Sequence, residues 1–202
     1  MNTTLSIEDY RRIINVIGDI ALFEEDPLRV HSIVNSINDN QLACKQWLVD
    51  QVMGTGYLDE HGIYKGIVIG GWHGLIPHMF REHGIEVVNT DIDPTAIAIA
   101  KRMFPTIKHK VMDINEVPVE KHGLVVCTSY EHISQEKIDQ MVERCRPGTL
   151  LAFQGNDYDE VEDHINCHHS LEDFVDSIPA QTIWCSHQDR DSYTRWMALA
   201  IT

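Results

Sequence analysis

From Lys65 to Asp93 the chain reads KGIVIGGWHGLIPHMFREHGIEVVNTDID. An apolar run (Ile67, Val68, Ile69) leads into a turn bracketed by Gly70, Gly71 and Gly74, and a second apolar run extends from Ile85 to Thr90. This order predicts strand, tight turn, helix and parallel strand, the unit from which α/β sheets are wound. Glycine lets the backbone bend sharply and leaves no Cβ between main chain and ligand. The second strand delivers Asp91, 17 residues after Gly74, to the carboxyl edge of the sheet. A carboxylate there accepts two hydrogen bonds from a ribose diol, so a nucleoside-containing cofactor is the natural occupant.

The alternation continues from Ile63 to the end. Asp93-Pro94 starts a helix through Ala96, Ile97, Ile99, Ala100 and Met103. Strands are predicted at Lys108–Met112, Leu124–Thr128 and Thr149–Gln154, with a helix from Ser134 to Arg144 and a capping box at Ser170 and Asp173. Two closing strands, Thr182–Cys185 and Trp196–Ile201, flank a polar loop His187–Tyr193, as in a hairpin. Residues 63–202 thus form one α/β domain, and residues 1–62 a helical extension. Within the extension, Ser6 and Asp9 box the first helix, whose apolar positions are Ile13, Ile14, Ile17, Ile20 and Ala21. Asp26-Pro27 starts a second, with Val30, Ile33, Val34 and Ile37 on one face. A third, from about Asn40, carries Ala43, Trp47, Leu48 and Val52 and stops near Gly54-Thr55-Gly56. This extension is either a cap over the ligand site or a packing element.

Composition narrows the partners. Net charge is −15, from 16 basic and 31 acidic residues, and no basic cluster exceeds pairs such as Arg11-Arg12 and Lys101-Arg102. Nucleic-acid binding, which displaces counterions with a basic face, is therefore not expected, and a small or cationic acceptor is. No apolar run approaches the roughly 20 residues that span a bilayer. The start, MNTTLSIEDYRR, lacks the pattern of a secretory leader. Five cysteines (44, 127, 145, 167 and 185) are scattered without CxxC spacing, which fits reduced thiols in the cytoplasm.

With seven strands, the glycine turn, the acid after strand two and the terminal hairpin, the stretch from about Ile63 to Thr202 resembles the class I S-adenosylmethionine-dependent methyltransferases. The resemblance implies a three-layer, Rossmann-like, seven-stranded, mostly parallel sheet with a terminal antiparallel hairpin. It implies S-adenosylmethionine (SAM) as cofactor. The glycine turn (Gly70, Gly71, Trp72, Gly74) would pass under the methionine part, and Asp91 in TDIDP would hold the ribose. Asp113 in VMDINEVP would take the adenine amino group, Ile92 and Ile114 would sandwich the ring, and Thr128–His132, with Ser129, would border the methyl group. The turn departs from the family's acid-x-Gly-x-Gly-x-Gly: Val68 stands for the acid and Trp72 for the middle glycine. Either the loop is rerouted, with Trp72 stacking over cofactor or acceptor, or the site binds something altered.

Methyl transfer from a sulfonium is an in-line displacement that depends on positioning and desolvation, and needs no metal. A base matters only where the acceptor must lose a proton. Glu131 and His132, next to the end of strand four, are the catalytic candidates, and Gln154 and Asn156 would orient an acceptor. The acceptor is a small molecule or a protein or peptide group. The Asn/Asp-Pro-Pro-aromatic sequence of base amino-methyltransferases is missing from Thr128-Ser129-Tyr130-Glu131. In Asp163–His169, His164 and His168 would share a helical face suited to a metal, but no second half of a site is evident, and no metal is expected. The acidic run Asp157–Asp163 would be a solvated loop or an attractor of a cationic acceptor. Transfer of the cofactor's aminocarboxypropyl group and a non-catalytic binding module are the alternatives. An NAD oxidoreductase fits less well, because the spacing is not GxGxxG. Dimerisation through the N-terminal helices is open.

Overall fold

The computed structural model describes residues 5–24 and 26–202. Met1–Thr4, the start of the MNTTLSIEDYRR segment, lie outside the described residues. The strands are β1 (Lys65–Ile69), β2 (Glu86–Asp91), β3 (His109–Val111), β4 (Leu124–Cys127), β5 (Leu150–Asn156), β6 (Gln181–Asp189) and β7 (Thr194–Ile201). They form one sheet in the order β3-β2-β1-β4-β5-β7-β6. All neighbours are parallel except β7, which runs antiparallel to both β5 and β6. The chain reverses direction of growth between β3 and β4, so the carboxyl ends of β1 and β4 flank a crevice.

Alternate strand residues enter opposite layers, as the period of two requires. Val68, Val126, Ala152 and Leu199 pack with α1 (Ile7–Asp19), α3 (Asp39–Gly54), α5 (Leu75–Glu82) and α6 (Pro94–Met103). Their neighbours Ile67, Val125, Phe153 and Ala198 pack with α7 (Gln135–Glu143) and α8 (Leu171–Asp176). The remaining helices are α2 (Pro27–Ser36) and the short α4 (Tyr57–Glu60), with a π-helical turn at Ile20–Glu24.

The helix starts follow the sequence. Ser6 and Asp9 form a reciprocal capping box, and the side chains of Asp26 and Asp93 accept first-turn N–H groups ahead of Pro27 and Pro94. Ile13, Val16 and Ile20 share the core of the sheet's first layer, and Arg12 donates to the Met103 carbonyl of α6 at 3.3 Å.

Several expectations are corrected. Ile14, Ala21 and Val34 face solvent, because the apolar stripe of each helix is narrower than its content of apolar residues. The strands at the end run on through much of the predicted loop His187–Tyr193, leaving only Arg190–Tyr193 between β6 and β7. β6 is an edge strand with alternating exposure, so its solvent-facing polar residues imitate a loop. The segment from Asp163 to His169 is not helical, so His164 and His168 share no helical face.

Candidate functional site

A cavity of about 610 Å³ opens at the carboxyl edge of β1, β2, β4 and β5 and is bounded on one side by α3. Twelve residues proposed from the sequence line it: Gly70, Gly71, Trp72, Asp91, Ile92, Asp113, Ile114, Thr128, Ser129, Glu131, His132 and Gln154. Gly74 stands back from it, where its φ of +83° starts α5.

The turn after β1 carries Trp72 between Gly71 and Gly74. Trp72 adopts φ +49°, the left-handed conformation in which glycine is favoured. Its backbone N–H donates to Asp91 Oδ2 at 2.8 Å, and its carbonyl accepts from Asn89 Nδ2 at 3.1 Å. Asp91 Oδ1 accepts from the Asp93 N–H at 2.9 Å. A carboxylate offers about four acceptor positions, so each oxygen of Asp91 retains one for a ligand. Trp72 thus stands in the turn in a left-handed conformation and lines the cavity. Val68 is fully buried under the turn and does not reach the cavity.

At the far end Asp113 caps a short 3₁₀ turn (Ile114–Glu116), its Oδ1 accepting from the Asn115 N–H at 2.9 Å. Lys137 Nζ lies 3.2 Å from its other oxygen. The backbone N–H and then the lysine hold the Asp113 carboxyl below the usual carboxylate range, against a smaller opposing effect of burial. Ile114 is buried beneath this end, whereas Ile92 is 65% exposed at the lip. Ser129 Oγ donates to the Gly70 carbonyl at 3.0 Å, clamping the turn to the end of β4.

The side of the cavity beyond β4 is built from the turn after β4 and from β5 and β7. Glu131 is 4% exposed, and its Oε1 accepts from Arg195 Nη1 at 3.2 Å and from Asn156 Nδ2. Asn156 and Arg195 are paired residues across β5 and β7, so the ladder itself aims both at one oxygen. Glu131 Oε2 has no partner. Burial pulls the Arg195 guanidinium down in pKa, but Glu131 and Tyr193 more than reverse this, and it stays charged. Gln154 lines the cavity with its Nε2 donating to the Cys44 carbonyl at 2.9 Å, whereas Asn156 stands behind Glu131 rather than at the wall. Tyr130 turns away, packing edge-on against Phe153 and Phe174 in the core.

His132, on the cavity wall, has Nδ1 3.2 Å from Asp163 Oδ2 and its ring edge-on to His164 at 4.5 Å. Glu131, His132 and His164 each present one ligand atom, all within 4.8 Å of one another. His168 instead packs against Tyr130 and Phe174.

α3 contributes Gln41, Cys44 and Lys45 to the cavity, none of which the sequence pattern singled out. Lys45 Nζ donates to Gln41 Oε1 at 2.8 Å and sits 5.7 Å from the centre of the Trp72 ring. Burial, and then the nearby Arg195, bring the Lys45 ammonium down to a pKa of about 7. Its signal was a lone lysine among apolar residues of a helix far upstream, legible only once α3 is seen against the turn.

Solved structures match this architecture along most of the chain. The N-methyltransferase NodS from Bradyrhizobium japonicum WM9 superposes with a TM-score of 0.64 over 83% of this chain and 98% of its own, at 17% identity. The chain has the class I methyltransferase fold. Magnesium protoporphyrin IX methyltransferase (ChlM) from Synechocystis PCC 6803, solved with bound SAM, matches at a TM-score of 0.63 over 100% of this chain and 99% of its own, at 14% identity. NodS in complex with S-adenosyl-L-homocysteine matches at 0.63, covering 96% of this chain and 98% of its own, at 16% identity. No protein-family model matches the chain. Within this methyltransferase fold, the cavity lies where the open edge of the sheet gathers Asp91, Asp113 and Glu131. No helix among the described residues is long and apolar enough to cross a membrane.

Proposed function

We propose that this protein is a SAM-dependent methyltransferase acting on a small-molecule or peptide acceptor. The observation that carries the reading is the gathering of Asp91, Asp113 and Glu131, from the ends of three successive strands, around one cavity floored by the glycine turn. Asp91 would hold the ribose diol through the lone pairs left by Trp72 and Asp93, and Asp113 the adenine amino group, with the ring between Ile92 and Ile114. Gly70, Gly71 and Trp72 would support the methionine part. Lys45, standing over Trp72, would pair with its carboxylate. SAM supplies an activated methyl group. The chain's own residues position the acceptor on the side of Glu131 and His132, where Arg195 and Asn156 hold the carboxylate in place. The N-terminal helices act as a cap, because α3 closes one wall of the cavity with Gln41, Cys44 and Lys45. A reducing, cytoplasmic setting fits the five free cysteines.

Calorimetric titration with SAM, S-adenosylhomocysteine and NADH tests this reading. Micromolar binding of the first two is expected, weakened at least about 100-fold by Asp91→Ala, the loss of two charge-assisted hydrogen bonds. Failure of both to bind would sink the proposal. A second reading, transfer of the aminocarboxypropyl group, draws on Val68 and Trp72, which alter the methionine end of the site. Turnover yielding methylthioadenosine rather than S-adenosylhomocysteine would decide for it.

A further inference from the structure

We infer that Glu131, His132 and His164 form a binding site for a divalent transition metal of the zinc class at the acceptor wall of the cavity. Their ligand atoms lie within 4.8 Å of one another. Tetrahedral ligand bonds of about 2.0–2.2 Å set donor atoms about 3.3–3.6 Å apart, so side-chain shifts of about 1 Å would close the set. The three residues come from two segments, the 3₁₀ turn after β4 and the acidic loop after β5, which the fold brings together. Ile165 and Asn166, just beyond His164, donate their N–H groups to the Glu131 carbonyl at 2.8 and 3.0 Å, so the two segments are tied by backbone.

The surroundings of each donor favour ligation. His164 Nδ1 is hydrogen-bonded to the Tyr158 carbonyl. A carbonyl only accepts, so Nδ1 bears the proton and the Nε2 lone pair is free. His132 Nδ1 faces Asp163 Oδ2 at 3.2 Å, the carboxylate–histidine pairing that orients ligating imidazoles. Glu131 is fixed through Oε1 alone, leaving Oε2 buried without a partner. A buried carboxylate oxygen left bare is costly, and a cation beside it would satisfy it. Two histidines and a glutamate leave an open position, as catalytic zinc sites do, and two of the three, Glu131 and His132, also line the cavity. The acidic run Asp157–Asp163 supplies a field that concentrates cations.

The site stands independently of the proposed function, but its chemical role rests on it. A metal at the open position would hold an acceptor hydroxyl and lower its pKa, so that the proton leaves to water. The oxygen lone pair would then form the new O–C bond as the C–S bond breaks, its electron pair remaining on sulfur. Glu131 and His132 would thus act on the acceptor as ligands rather than as bases.

The test is zinc titration of the chelator-treated full chain, followed by cobalt substitution and SAM titration of the metal-free form. One equivalent of zinc per chain is expected, with a cobalt spectrum free of thiolate charge-transfer bands despite nearby Cys167. His164→Gln and His132→Gln should each weaken zinc at least about 100-fold, and Asp163→Asn about 10-fold. Absence of stoichiometric zinc binding, survival of binding in both histidine variants, or a thiolate band in the cobalt form would overturn the inference. Normal SAM binding alongside any of these results would leave the cofactor reading standing while removing the metal.

Discussion

Lys45 shows how strongly single side chains are set by burial here. Its ammonium, buried beside Arg195, is brought from the ordinary value of 10.5 to about 7, and a carboxylate arriving over Trp72 would restore the lost stabilisation. Above pH 7, SAM binding should therefore take up a proton, seen as a dependence of calorimetric heat on the buffer's ionisation enthalpy, and Lys45→Met should abolish that uptake. The stability effect has a definite sign. Between pH 7 and 10.5 the unfolded lysine holds a proton that the folded one has lost, so this group's contribution to stability rises with pH across that window and is at its least favourable below it. Trp72 presents a second trade at this scale. A non-glycine residue in the left-handed region costs about 1–2 kcal/mol, which Trp72→Gly would release while removing the ring that walls the cavity and stacks on His73 at 4.8 Å. Stability should change by no more than about 1 kcal/mol in urea titrations, and SAM affinity should fall about 10-fold, the worth of one lost ring contact.

Among elements, the glycine turn is the least forgiving. A Cβ on Gly71 would stand 2.0 Å from Asn89 Oδ1 and 2.9 Å from Val68 Cγ1, both on buried strands. Gly71→Ala should cost about 2–3 kcal/mol in denaturant unfolding, an overpacking penalty with no strain in φ. The turn, the strands and the capped helices were legible in the sequence, because period-two apolar runs and Asp-Pro or Ser-x-x-Asp caps are local signals. Asp91 and Asp113 were legible for the same reason: each sits where a readable strand ends. Lys45, Arg195 and the meeting of His164 with Glu131 were not, since their proximity arises only from packing of α3 and from the β5–β7 register. β6 misled because an edge strand spends half its residues on solvent.

For the molecule as a whole, the N-terminal helices and the sheet share one apolar layer. Leu48 and Val52 of α3 lie in the same cluster as Val68, Val126 and Leu199, and Trp47 meets Trp184 of β6 edge-on at 6.1 Å. Although the sequence divides at residue 62, unfolding should be a single transition. Equilibrium denaturation followed by tryptophan fluorescence and by far-ultraviolet circular dichroism should give coincident midpoints, and a separate early transition would show the extension to be an independent unit.

The place of β7 inside the sheet has a consequence for how the molecule is made. β6 leaves the ribosome first, yet reaches the sheet only through β7. Until β7 is synthesised, β5 offers an open edge to any passing strand, the kind of edge on which chains aggregate. Arg195 travels on that same strand, so the growing chain gains the counter-charge of Glu131 at the moment its sheet is sealed. A nascent chain halted before Thr194 would be both adhesive and electrostatically unfinished, which makes the addition of β7 also the step that arms the site.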